Sequence, residues 1–130
     1  MEKRPAKILV VDDEQLIVKL FKMYFIEKIK AKEYELIFAR NGKEAIARLQ
    51  ADSEIDMILT DINMPEMDGL TLLAKLNEEK MNIKTVVISA YGHVKNMKIA
   101  QKFGAFEFLN KPIDFKQLEG IITRALEEER

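Results

Sequence analysis

The chain alternates two kinds of apolar pattern. "KILVV" (Lys7 to Val11) is a short continuous apolar run, too compact for a helix and β-branched at its end, and is expected to be a buried strand. After "DDEQ", the residues Leu16, Ile17, Leu20, Phe21, Tyr24 and Phe25 recur at three- and four-residue steps, which places them on one face of an amphipathic helix. The alternation repeats: strand "YELIFA", helix "GKEAIARLQA", strand "MILT", helix "LTLLAKLNEE", strand "TVVIS", helix "VKNMKIAQKF", strand "FEFL" and helix "FKQLEGIITRALEEE".

Strands alternating with helices predict an α/β fold with a five-stranded parallel sheet, since each parallel neighbour needs a crossover and a helix supplies it. Runs such as "ILVV" and "TVVIS" are apolar on both alternating faces, as helices on both faces of the sheet require. The turn signals agree. Asn41-Gly42 and Asp68-Gly69 open helices, Gly104 follows the fourth helix, and Pro112 separates the last strand from the last helix. "KIKAKEYE" is expected to be a somewhat long connection before the second strand.

With 130 residues and no linker or low-complexity tract, residues 1–130 are expected to form one domain. No run of about 18 apolar residues is present, which argues against a membrane span, and no leader pattern opens the chain; a cytoplasmic location is expected. The sequence has no cysteine, which removes disulfides, thiol nucleophiles and thiolate metal sites. A metal would have to use oxygen or the single histidine, His93. Lys+Arg 21 against Asp+Glu 22 gives a net charge of −1 with the basic residues dispersed, so direct nucleic-acid binding is not expected.

In open α/β sheets, ligands bind beyond the carboxyl ends of the strands. Those ends carry Asp12 and Asp13 on the first strand, Asp61 on the third, Ser89 on the fourth, and Lys111 just past the fifth. Singly, each has an ordinary reading: Asp12, Asp13 and Asp61 as caps or turn residues, Ser89 as a loop hydrogen-bonding group, Lys111 as a solvated cation. Jointly, three carboxylates on one edge would repel and raise one another's pKa, so a positive partner is expected. Magnesium suits such a set, because it takes few protein carboxylates and completes its shell with water and phosphate oxygens. Lys111 would add a second positive charge. Asp61 could then attack phosphorus to form an aspartyl phosphate, with metal and lysine offsetting charge and the Ser89 hydroxyl donating to a phosphoryl oxygen.

The motifs "VVDDE", "LTDINMPEMDG", "VVISAYG" and "LNKPID", in this order and spacing, resemble those of two-component response-regulator receiver domains, along essentially the whole chain and nearest to the single-domain chemotaxis and phosphorelay regulators. The resemblance implies the flavodoxin-like receiver fold with strand order 2-1-3-4-5. It implies that Asp61 is the phosphoacceptor, that Asp12, Asp13 and the backbone carbonyl of Asn63 join it in binding Mg2+, and that Lys111 pairs with the phosphoryl group across a cis Lys111-Pro112 bond. Ser89 and Phe108 resemble the switch pair, which would change the surface of the fourth helix, fifth strand and fifth helix. Asn63 and Tyr91 take positions that flank the hydrolysing water, with Tyr91 expected to shield the acyl phosphate. Implied partners are a histidine kinase or histidine phosphotransfer protein, docking near Gln15, Lys19 and Lys22, a downstream output protein or domain, and a dimer formed on phosphorylation. Such a domain is not an enzyme beyond its own phosphorylation and dephosphorylation.

Other assignments are plainer. His93 reads as a solvated loop residue, Asp56 as a turn residue at the edge opposite the site, Asp68 as the start of the third helix, and the closing "EEER" as a fraying helix end or the start of a linker. A haloacid-dehalogenase-type phosphatase would also use aspartate, magnesium, a hydroxyl and a lysine. In that family, however, the nucleophile closes the first strand, and the residue two past it is an acid where this chain has Asn63. A flavin module would need a phosphate loop after the first strand, where "DDEQ" stands instead.

Overall fold

A computed structural model describes residues 4–90 and 94–127. In chain order the elements are β1 (Ala6–Val11), α1 (Gln15–Tyr24), α2 (Ile26–Lys30), β2 (Tyr34–Ala39), α3 (Gly42–Ala51), β3 (Met57–Asp61), α4 (Gly69–Glu78), β4 (Lys84–Ser89), α5 (Val94–Lys102), β5 (Glu107–Asn110) and α6 (Phe115–Glu127). The sheet is wholly parallel with order β2-β1-β3-β4-β5, as expected from the sequence.

Both sheet faces are buried, for the reason their apolar runs imply. On one face Ile8, Val10, Met57, Leu59, Val86 and Ile88 pack against Phe21 and Phe25 at α1 and against Leu118, Ile121 and Ile122 of α6. On the other, Leu9, Val11 and Ile58 meet Ala45 and Leu49 of α3 and Leu72 and Leu76 of α4, while Val87 meets Leu73 and Ala100. Full burial of one such side chain is worth roughly 1.5–3 kcal/mol. Two packed faces therefore hold the strand tips as a rigid platform.

The structure departs from the sequence pattern in two places. The "KIKAKEYE" connection is partly helical: α2 follows α1 after a break at Phe25, so the described residues contain six helical segments rather than five. The break coincides with the burial of Phe25, whose ring packs among those of Phe21, Tyr24, Tyr34 and Phe115. The apolar stripe of α1 is also split. Ile17, Phe21 and Phe25 face the core, whereas Leu16 is 63% exposed and Leu20 and Tyr24 are only partly covered. A single helix on a sheet presents one narrow line of residues inward, and a stripe two residues wide leaves its second line at the flank. There Tyr24 stacks on Phe115 of α6 and donates a 2.9 Å hydrogen bond to Glu119.

Helix starts near the sheet's carboxyl edge are secured locally. The Asn41 side chain accepts from the Glu44 amide at 2.9 Å and that of Asp68 from the Thr71 amide at 2.8 Å, each satisfying a donor that a helix end leaves open. The Gly42 amide donates to the Met67 carbonyl at 2.9 Å, tying the start of α3 to the loop after β3. At the far edge Asp56 does more than turn the chain. It accepts from the Lys7 amide at 2.8 Å and pairs with both terminal nitrogens of Arg4 at 3.0 Å, clasping the entry of β1 to the entry of β3.

Candidate functional site

Parallel pairing brings the strand tips together. Val11 stands beside Thr60, Asp61 beside Ile88, and Ser89 beside Asn110, so residues that follow or end these strands share one edge. The ladder continues into the loops. The Asp12 amide donates to the Ala39 carbonyl at 3.0 Å, that of Ile62 to Ile88 at 3.1 Å, and that of Lys111 to Ser89 at 2.7 Å. Asp12, Asp13, Asp61, Ser89 and Lys111 thus each lie at a fixed strand end or within two residues of one.

Asp12, Asp13 and Asp61 each place one carboxylate oxygen within 4.8 Å of the others. Asp12 and Asp61 are buried and Asp13 is exposed. Asp12 is oriented by the Glu14 amide, which donates to its Oδ1 at 2.9 Å. Lys111 reaches over the group: its Nζ lies 3.3 Å from Asp12, 3.5 Å from Asp61 and 3.2 Å from Glu14. The Lys111-Pro112 bond is cis.

Burial of these carboxylates shows in their protonation. Burial pushes the Asp61 carboxyl up to about 6, opposed by the Lys111 charge and reinforced by that of Asp12. Asp12 is also raised, chiefly by burial, against the Glu14 amide and Lys111. Burial alone would lower the Lys111 pKa, but the charges of Asp12 and Asp61 and its hydrogen bonds outweigh it and the ammonium is held above the usual lysine range. Among the described residues, the carboxylates of this group outnumber the cation that reaches them, Lys111. An all-oxygen set this tight, with two members reluctant to ionise, fits a small hard divalent cation.

Ser89, at the end of β4, is buried. Phe108 is half-buried on the edge strand β5, beside Val87, in the cluster of Ile62, Leu73 and Ala100. Asn63 is exposed in the loop after β3. Tyr91 and His93 lie outside the described residues.

Three contributors escape a reading of the motifs. Glu14, the third acid of "VVDDE", contacts Lys111. The Thr60 hydroxyl donates to the Asp61 carbonyl at 3.0 Å. Gly69 packs against that same carbonyl, and its amide donates to Ile62 at 2.9 Å. The motif does include Gly69, but only as a helix opener; its approach to Asp61 depends on how the loop folds back.

Residues 8–123 match the response regulator receiver domain. The chain belongs to that family. It is a receiver domain of the two-component signalling systems, and the phosphatase and flavin readings have no support from these similarities. The chain is 37% identical over 117 residues to the chemotaxis protein CheY of Treponema pallidum, covering 88% of this chain and 78% of that one. It is 30% identical over 128 residues to the transcriptional regulatory protein GlrR of Escherichia coli, covering 98% of this chain and 28% of that protein. Among solved structures, a chain of the CheX-CheY-BeF3-Mg2+ complex from Borrelia burgdorferi superimposes with a TM-score of 0.83 at 30% identity, over 95% of this chain and 90% of that one. The receiver thus spans most of one relative and about a quarter of the other. Among the described residues no helix is long and apolar enough to cross a membrane.

Proposed function

We propose that Asp61 is the phosphoacceptor of this receiver. The supporting observation is the triad of oxygens from Asp12, Asp13 and Asp61 within 4.8 Å, with the Lys111 ammonium 3.5 Å from Asp61. In the transfer step an Asp61 oxygen forms a bond to phosphorus while the bond from phosphorus to the donor histidine nitrogen breaks, the electron pair leaving with the imidazole. Attack of water on phosphorus later restores the carboxylate and releases phosphate. The reaction is confined to the domain's own aspartate, so the protein is a switch and not an enzyme with a separate substrate.

Asp12, Asp13, Asp61 and the backbone carbonyl of Asn63 would hold Mg2+, which supplies charge neutralisation to the transferring phosphoryl oxygens. Lys111 would pair with one of these oxygens, and the Ser89 hydroxyl would donate to another. Asn63 and Tyr91 set the access of water. Movement of Ser89 toward the phosphoryl group draws Phe108 inward from its half-buried position, and the α5, β5 and α6 surface changes for an output protein, an output domain or a second copy of the chain. A complete switch of populations requires about 5.5 kcal/mol of differential interaction with the phosphoryl group.

The donor is a histidine kinase or histidine phosphotransfer protein in the cytoplasm. The face it meets includes Gln15, Lys19 and Lys22, with Leu16 and Met23 exposed beside them. A groove lined by Ile17, Leu20, Pro112, Ile113 and Phe115 adjoins Lys111. Residues 1–130 work as one receiver domain in this reading.

The test is incubation with Mg2+ and acetyl phosphate followed by intact mass. The expected result is one phosphoryl adduct that depends on Mg2+ and is absent from Asp61→Asn. An adduct that persists in Asp61→Asn would move the acceptor elsewhere.

A further inference from the structure

Lys111 is shared among three carboxylates, and they differ in what else they do. Asp12 and Asp61 belong to the oxygen triad and their side chains are 5% and 6% exposed, whereas the Glu14 side chain is 59% exposed and lies outside the triad. Glu14 is nonetheless the nearest of the three to the ammonium, at 3.2 Å. Its backbone explains how it arrives there. Glu14 is the N-cap residue of α1, its amide donates to Asp12, and its carbonyl accepts from the Ile17 amide at 3.1 Å. The side chain makes no cap hydrogen bond, so it is not spent on the helix end and reaches across to Lys111.

This position opposes phosphoryl transfer in two ways. The Glu14 charge competes for the Lys111 ammonium with the phosphoryl oxygens that would bind at Asp61. The same charge repels a phosphodonor, which is anionic, as it enters a site already rich in carboxylates. Neither effect serves the oxygen triad. Glu14 is largely exposed and water solvates its carboxylate well, so it can release the ammonium without a large barrier.

We propose that Glu14 is a positioning residue that restrains phosphorylation by competing for the Lys111 ammonium until a phosphoryl group displaces it. The proposal rests on the reading of Asp61 as the phosphoacceptor. Glu14→Gln keeps the shape and an acceptor oxygen but removes the charge. Glu14→Asp keeps the charge on a shorter arm.

The experiment is the rate of adduct formation from acetyl phosphate at saturating Mg2+, in the wild-type chain and both variants, at ionic strengths from roughly 0.02 M to 0.5 M, where the screening length falls from well above 10 Å to a few ångströms. Glu14→Gln is expected to react about two- to fivefold faster than wild type at low salt, with the advantage shrinking as salt rises. Glu14→Asp is expected to fall between them. A loss of packing would not carry this salt dependence, and urea unfolding of each variant checks that the fold is intact. Equal rates in wild type and Glu14→Gln, or a difference that salt leaves unchanged, would overturn the role of Glu14 while leaving the acceptor in place. Absence of any adduct on the wild-type chain, with Asp61→Asn as the blank, would instead overturn the acceptor reading and the proposal with it.

Discussion

Gly69 stands so close to Asp61 that a Cβ at Gly69 would collide with the Asp61 backbone carbonyl and crowd the Ile62 α-carbon. The atoms in the way are backbone at the end of a buried strand and cannot swing aside. Gly69→Ala is therefore expected to destabilise the domain by about 1–3 kcal/mol and to slow adduct formation by displacing Asp61. Gly42 is a useful control: a Cβ there would meet the Met67 side chain, which is flexible, so Gly42→Ala is expected to cost less. Urea midpoints and phosphorylation rates of the two variants check both statements.

The raised pKa of Asp61 has a consequence for stability without metal. Its folded value of about 6 lies above the ordinary value of 3.8, so between these pH values the folded chain holds a proton that the unfolded chain has released. The stabilising contribution of the protonated carboxyl is full below the unfolded value and is lost as pH rises through about 6. Asp61→Asn, which carries no charge at any pH, is expected to be more stable than wild type at pH 7.5 by on the order of 1–3 kcal/mol, with the gain shrinking toward pH 4. Denaturation in EDTA at the two pH values measures it. A gain that does not depend on pH would point away from ionisation as the cause.

Metal binding should reverse that cost. A cation held by Asp12, Asp13 and Asp61 binds the ionised folded state, so Mg2+ at a hundredfold excess over its Kd is expected to stabilise wild type by about 2.7 kcal/mol. Affinity is expected to rise with pH through about 6, as Asp61 ionises. Asp13→Asn is expected to weaken binding with little effect on metal-free stability, because Asp13 is exposed. Calorimetric titration and thermal unfolding with and without Mg2+ check these outcomes.

Asp56 separates a structural carboxylate from the functional ones. Asp56→Ala removes the partner of the Lys7 amide and of Arg4 at the edge opposite the site. The expected cost is about 1–2 kcal/mol of stability, with the phosphorylation rate unchanged. Urea unfolding and the adduct assay read the two quantities separately.

Much of this protein was legible in its sequence because the relevant signals are local. Apolar runs such as "ILVV" mark strands buried on both faces, and Asn41 and Asp68 mark helix starts because a cap needs only the next few residues. The charged strand ends were also visible, since parallel strands deliver their carboxyl ends to one edge whatever their separation in the chain. The split stripe of α1 was not visible: spacing shows that Leu16 and Ile17 share a helix face, but only packing against the sheet decides which one is covered. The same holds for Glu14 at Lys111, for Gly69 against the Asp61 carbonyl, and for Asp56 as a clasp. Glu14 and Lys111, and Asp56 and Lys7, come from segments far apart in the chain, and Gly69 reaches Asp61 only through the way the short loop between them folds back. Residue type and local pattern determine what a side chain can do; the folded path of the backbone decides what it touches.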